Sequence, residues 1–346
     1  MITAEGCHGR IARFLDRLRP TEPILLGDPL HLCYFANAYW DPFSLGADFG
    51  GGLQIRPDGH TTLLYDSRSP KSVDAAFADD RQITKWYDGQ TPGRGVRRLI
   101  GPTAPIASPK IYAIVDEMRR SKDPDELALL RRCMRVTEAG HAWARANVRP
   151  GMTELDVYAG IVAECTKAAG HPVILYGDFA VSPGSAKRGG MATERVIQSG
   201  ETLILDFSVV IQGYRSDFTN TLVVGAEPTA EQRRLFDLCV RAMAAGEAEL
   251  KAGTACQTLY DAVRGVFERA GVADQFPHHA GHGLGLSHPE APFLVRHSTE
   301  TLVAGDVVTL EPGLYVDGVG GVRIEHNYAI TATGFEKLSQ HEIALN

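Results

Sequence analysis

The sequence predicts an α+β fold in two domains, and three observations carry that reading. The chain has 346 residues, more than one hydrophobic core usually serves. Its first 118 residues are rich in short apolar runs cut by glycine and proline, the mark of a small α/β domain. Residues 119–346 instead alternate long helical stretches with strand pairs.

Taken in order, residues 1–20 read as an amphipathic helix, with Ile11, Phe14, Leu15 and Leu18 at helical spacing. The runs Ile24–Leu26, Leu32–Phe35, Leu53–Ile55, Thr61–Tyr65 and Ile111–Val115 read as strands, separated by Pro29, Gly50 to Gly52 and Pro57-Asp58-Gly59. The polar stretch 119–126 follows, and the domain boundary is drawn near residue 118. Asp123 there is placed to cap a helix, with Pro124 at its first position and Glu126 three residues on. That helix spans 124–147 and stops at Pro150-Gly151; another starts near Thr153-Glu154 and ends at Gly170. Strands are expected at 173–181, 202–210, 218–225, 307–310 and 322–330, and long helices at 229–251 and 255–270.

Composition narrows the function. The net charge is −7 and no Lys/Arg-rich run occurs, which argues against nucleic acid or an anionic membrane surface as a partner. No stretch approaches the ~20 apolar residues of a membrane helix, and the N-terminus lacks the apolar core of a signal peptide. The six cysteines are scattered without a CxxC pair, as in reduced thiols, so a cytoplasmic location is expected. Gly50-Gly51-Gly52 lacks the phosphate-loop lysine, and no GxSxG nucleophile elbow is present.

The chemistry begins at Leu203-Ile204-Leu205-Asp206, followed by Gly213-Tyr214-Arg215-Ser216-Asp217. Two β-rich runs flank a short polar turn, a hairpin signal. A turn centred on Ile211-Gln212 would set Asp206 directly opposite Asp217, with Cβ atoms ~5 Å apart. Carboxylates that close repel unless a cation neutralises them. The pair therefore reads either as a solvated hairpin face or as a metal pair. Residues 278–288 add four histidines, His278, His279, His282 and His288, with glycines flanking His282. Glu311 and Glu325 each follow an apolar run, where an unpaired charge is costly to bury. Arg323, two residues before Glu325, serves either to orient a carboxylate or as a structural ion pair.

In this order, Asp206, Asp217, His282, Glu311 and Glu325 resemble the five-ligand set of the pita-bread (creatinase/aminopeptidase fold) metallopeptidases of family M24. GYRSDFTNT, GHGLG, EPG and GVRIE resemble the family's local motifs. The resemblance covers about residues 119–346, and GDPLHLCYFANAY resembles the start of the creatinase/prolidase N-terminal domain. It implies two divalent metal ions (Mn, Co, Zn or Fe), with Asp217 and Glu325 bridging them. A water activated between the ions would attack a peptide carbonyl, with Glu311 shuttling the proton. It further implies His278 as a catalytic residue by the substrate, and a homodimer. His288 reads either as a further catalytic residue or as an ordinary loop residue; Arg215, Arg296 and Arg323 are candidates to clamp a substrate carboxylate, and Tyr214 is expected to bind substrate.

The sequence departs from the family in three places. No histidine occurs between Ser182 and Arg195, where many members carry one. Pro289 stands where a histidine is usual, with His288 one step earlier. Asp206 is followed by Phe207-Ser208, and Glu325 by His326. The expected activity is an Xaa-Pro dipeptidase or Xaa-Pro aminopeptidase-like hydrolase acting on a small peptide or peptide-like substrate. The alternatives are a pita-bread enzyme acting on a small non-peptide substrate and a non-catalytic metal-binding module.

Overall fold

Helix α1 (Ala4–Leu18) starts where Thr3 accepts a hydrogen bond from the Gly6 amide, and it buries Cys7, Arg10, Ile11 and Phe14. In the computed structural model, residues 1–40, 51–67, 69, 71–85, 89 and 108–346 are described; Gly50, expected in a turn, lies outside them. These residues form two compact units, one of Met1–Arg119 with Asp123–Ala128, the other of Arg120–Lys122 with Leu129–Asn346.

The first unit carries a sheet of order β1-β2-β3-β4: β1 (Ile24–Leu26), β2 (Gly52–Ile55), β3 (Thr61–Asp66) and β4 (Asp80–Thr84). The first three pair antiparallel, and β4 joins β3 in parallel. Two strand expectations are corrected here. Leu32–Phe35 lies in helix α2 (Pro29–Ala36), where Asp28 accepts from the Leu30 amide and Pro29 occupies the first turn. Six consecutive residues of this short helix are buried, and an apolar run buried all round carries no period that separates helix from strand. After α3 (Lys71–Asp74), Ile111–Val115 belongs to helix α4 (Pro109–Arg120), which buries Ile111, Val115 and Met118 at four- and three-residue steps.

The second unit holds most of α5 (Pro124–Asn147) and all of α6 (Glu154–Ala169). The Asp123 amide donates to Glu126 at the start of α5, and Thr153 and Asp156 form a full capping box on α6. A four-stranded antiparallel sheet follows: β5 (Ile174–Asp178), β6 (Thr202–Ile211), β7 (Tyr214–Arg215) and β8 (Phe218–Val223). Helices α7 (Ala230–Glu247) and α8 (Cys256–Arg269) lead to β9 (Gly281–Gly283) and β10 (Glu290–Leu294). The chain then runs through β11 (Val307–Leu310), β12 (Gly313–Val316), β13 (Gly320–Arg323), β14 (His326–Ile330) and β15 (Phe335–Lys337). Their order is β10-β9-β11-β14-β15, with β12-β13 as a separate antiparallel pair. Leu235, Leu238 and Cys239 of α7 and Leu259, Val263 and Phe267 of α8 form a core with Val308, Leu310, Val322 and Tyr328.

Two local differences from expectation position the site. Ile211 pairs with Tyr214, so the turn is Gln212-Gly213, both with positive φ, and Asp206 pairs with Thr219 rather than Asp217. Moving the turn by one residue moves each partner by two, so Asp206 and Asp217 keep one face and become diagonal neighbours. The expected strand 322–330 is two strands, broken at Ile324-Glu325.

Candidate active site

Asp217 follows β7, and its backbone is held at two points by Asn327 of β14. The Asp217 amide donates to Asn327 Oδ1 at 3.2 Å, and the Asn327 amide group donates to the Asp217 carbonyl. At the strand break, the Glu325 amide donates to the Thr219 carbonyl and Thr219 Oγ1 donates to Glu325 Oε2 at 2.7 Å. Asp206, Asp217 and Glu325 thereby each bring one oxygen within 4.8 Å of the others.

His282 and Glu311 are set by neighbouring strands. Thr309 Oγ1 accepts from the His282 amide at 3.2 Å and donates to Glu311 Oε1 at 3.2 Å, so one hydroxyl fixes both residues. Gly281 permits this approach, since a Cβ there would stand 2.0 Å from the Thr309 carbonyl oxygen. His282 Nδ1 lies 3.0 Å from the Gly283 carbonyl, an acceptor only, so Nδ1 carries the proton. Nε2 then presents its lone pair, 3.4 Å from Asp217 Oδ2 and 3.6 Å from Glu311 Oε1.

The other histidines divide by partner. His288 Nε2 lies 2.7 Å from Asp217 Oδ2. Both nitrogens of His278 are engaged, Nδ1 with the His279 carbonyl and Nε2 with Tyr315 Oη. Arg323 is pinned on every side: it donates to Asp206 Oδ2 at 2.5 Å, Asp178 Oδ2 at 2.7 Å, Tyr315 Oη at 2.9 Å and the Arg188 carbonyl at 3.1 Å. That geometry orients Asp206 and leaves its terminal nitrogens committed to protein acceptors rather than to a substrate. Tyr214, expected to bind substrate, is 1% exposed and does not line the cleft.

The cleft has a volume of about 390 Å³ and is lined on one side by Asp206, Asp217, His282, His288 and Glu311, and on the other by Tyr176, Asp178 and Arg188. The sequence pattern gave no sign of Tyr176, Asp178 or Arg188 as lining residues, and offered His279 only within the histidine cluster. Gly189 leaves room for Asp178, since a Cβ there would lie 2.6 Å from its Oδ2. The absence of histidine between Ser182 and Arg195 pointed to this region, but nothing in the pattern named Asp178. Arg188 is exposed and, among the described residues, its side chain makes no ion pair. Arg215 and Arg296 do not line the cleft; Arg215 bonds Tyr176 Oη and the Gly213 and Leu286 carbonyls.

Crowded carboxylates govern the electrostatics. Burial raises Asp206 to about 7 against the pull of Arg323, with Asp217 and Asp178 adding to the rise. Burial and the charges of Asp217, Asp206 and Glu311 push Glu325 well above the carboxylate range. Burial would also raise Glu311, but His279, His282 and His278 outweigh it and hold Glu311 low. Burial pulls His278 down to about 4, whereas at His288 the bond to Asp217 outweighs burial and raises the pKa.

This donor set fits divalent cations. Glu325 Oε1 is buried with no hydrogen-bond partner, beside two further carboxylates that repel it. Oxygen and imidazole donors together suit Mn, Fe, Co or Zn. A second acidic group, Asp123, Asp125 and Glu126, differs in already facing a buried guanidinium. Buried Arg10 lies 3.0 Å from Asp125 Oδ1 and 3.3 Å from Asp123 Oδ2.

Comparison with known proteins adds to this geometry. The sequence model of metallopeptidase family M24 matches residues 128–332. An uncharacterized peptidase of Staphylococcus aureus (strain bovine RF122 / ET3-1) is 30% identical over 361 residues, covering 96% of this chain and 99% of the relative. One from Staphylococcus epidermidis is 30% identical over 233 residues; there the match spans 66% of this chain and 65% of the relative's length. The fold matches an Xaa-Pro dipeptidase from Bacillus anthracis at a TM-score of 0.78 with 24% identity, covering 98% of this chain and 99% of the other. It matches a prolidase from Thermococcus sibiricus at 0.80 with 21% identity, covering 100% and 99%. An X-Pro aminopeptidase from Thermotoga maritima matches at 0.78 with 21% identity, covering 97% and 99%.

Proposed function

The chain belongs to metallopeptidase family M24, and we propose that it hydrolyses small peptides with an Xaa-Pro bond, using two divalent metal ions. The observation that carries this reading is the buried, unpartnered Glu325 Oε1 beside Asp206 and Asp217, two carboxylates that line the cleft. The Xaa-Pro preference is supported by the fold shared with Xaa-Pro dipeptidase, prolidase and X-Pro aminopeptidase structures.

Asp206, Asp217, His282, Glu311 and Glu325 would hold the ions, with Asp217 reaching both the carboxylate group and the histidine side. Bound divalent ions supply Lewis acidity toward a carbonyl and lower the pKa of water. Glu311, kept ionised by its histidine neighbours, accepts a proton at a carboxylate oxygen and delivers it to the leaving nitrogen. His288, on the cleft wall, positions Asp217 through its Nε2. His278 is a positioning residue, since both its nitrogens are bound within the protein. Arg188 takes the substrate carboxylate, a role that Arg323 cannot fill with its nitrogens committed. All these residues belong to the second unit, which we take as the catalytic domain.

The test is hydrolysis of Ala-Pro, Met-Pro, Gly-Pro and a tripeptide Xaa-Pro-Xaa by metal-stripped protein reloaded with Mn, Co, Zn or Fe. Metal-dependent cleavage of the dipeptides alone identifies a dipeptidase; cleavage of the tripeptide identifies an aminopeptidase. Two bound metal equivalents without turnover of any peptide would overturn the substrate and move the search to small non-peptide C–N bonds.

A further inference from the structure

His279 lies outside the five residues that the family resemblance supplies, yet its Nδ1 approaches Glu311 Oε1 to 3.2 Å. The contact is close, but it is not directed as a hydrogen bond, and Nδ1 is buried without a hydrogen-bond partner. Two donor atoms bound about 2.1 Å from one cation, at ordinary coordination angles, stand about 3.0–3.4 Å apart. The His279–Glu311 separation of 3.2 Å falls in that range, and His282 Nε2 lies 3.6 Å from the same Glu311 oxygen. Both imidazoles thus approach the same Glu311 oxygen. Neighbouring His278 does not compete, because Tyr315 Oη and the His279 carbonyl occupy its nitrogens.

We propose that His279 is a sixth protein ligand, binding through Nδ1 the divalent cation held by Glu311 and His282. The inference rests on the metal reading of the site given above and deepens it. It makes the two metal positions chemically unlike. One is ringed by Asp206, Asp217 and Glu325, all oxygen donors; the other has two imidazoles, from His279 and His282. Oxygen-only surroundings suit Mn, whereas imidazole favours Zn, Co or Fe, so the two positions would differ in the metal they retain.

The test is calorimetric titration of the metal-stripped full chain with Co²⁺ and Zn²⁺, for wild type, His279→Ala and His279→Cys. Expected is a loss of at least tenfold in affinity for one equivalent in His279→Ala, with the other equivalent unchanged. In His279→Cys loaded with Co²⁺, a thiolate-to-cobalt absorption band absent from wild type should appear in the near ultraviolet. His279→Gln, nearer in volume, repeats the titration should the alanine variant fail to fold. Unchanged affinity for both equivalents overturns the role of His279, as does weakened binding without the thiolate band, which would assign it to holding Glu311 alone. A wild-type protein that binds no divalent ion at all overturns the metal reading itself, and this inference with it.

Discussion

Asp217 is the side chain on which the proposed site turns, because it contacts both His282 and His288 while sharing a group with Asp206 and Glu325. Asp217→Asn keeps the shape and removes a charge. It should abolish binding of at least one metal equivalent and lower kcat/KM at least ~100-fold, about 2.7 kcal/mol of transition-state stabilisation. Metal analysis of the purified variant checks the first outcome; full occupancy would refute the bridging assignment. Arg323 makes a second prediction. Its guanidinium is buried against Asp178 and Asp206, so Arg323→Ala leaves two carboxylates without a counter-charge and should cost about 3–5 kcal/mol, read by urea unfolding. At this scale the sequence was informative where a charge interrupts an apolar run, as at Asp206, Glu311 and Glu325. It was silent on Arg188 and offered His279 only as a member of a histidine cluster, because what surrounds each comes from distant segments. Tyr214 misled because its neighbourhood in the chain, between Gln212 and Asp217, is not its neighbourhood in space: its ring is buried away from the cleft.

The elements that present these residues depend on backbone proximity. Gly281 in β9 lets His282 sit beside Thr309 of β11. Gly281→Ala should force the strands apart and displace His282, with a stability loss of about 1–3 kcal/mol and weakened metal binding, both visible in thermal melts with and without metal. The element pattern was legible for the long helices, which begin near Asp123 and Thr153 as the sequence indicates, although the Asp123 carboxylate turns to Arg10 and Arg13 rather than capping α5. It was not legible for α2, buried all round, nor for β4, whose residues are nearly all exposed and carry no apolar run. The hairpin register went astray by one turn residue, yet the site survived, because strand faces alternate with period two and a two-residue shift preserves them.

At the scale of the whole molecule, two linkages follow. A ligand that binds only the folded state stabilises it by about 2.7 kcal/mol at 100 times its Kd. For a unit of this size that is a Tm rise of about 5–10 °C, so chelation should lower the melting temperature and readdition of metal restore it. The second linkage concerns His141 and His341, whose rings both pack on Phe218. Burial drives His141 well below its ordinary value, with His341 beside it adding to the fall. Burial takes His341 down to about 4, with the Thr219 carbonyl opposing and Arg145 and Lys337 assisting. The unfolded chain therefore takes up protons between about pH 6.5 and 4 that the native state refuses, so stability is full above pH 6.5 and falls through that window. His341→Phe should flatten the fall, measured as the urea midpoint at pH 7.5 and pH 5.

The hold of Asn327 on Asp217 joins residues 110 positions apart in the chain. Glu311 and Glu325 also lie far beyond Asp217 in the chain. During synthesis, a chain that has emerged through Asp217 carries two of the required carboxylates and neither glutamate, and the Asn327 clasp does not yet exist. The proposed site is thus complete only once residues 311–327 have followed Asp217 out of the ribosome, and a fragment stalled before Glu311 should be unable to hold two metal equivalents. The order of the proposed ligands along the chain works as a timing device: the first carboxylates wait for the last.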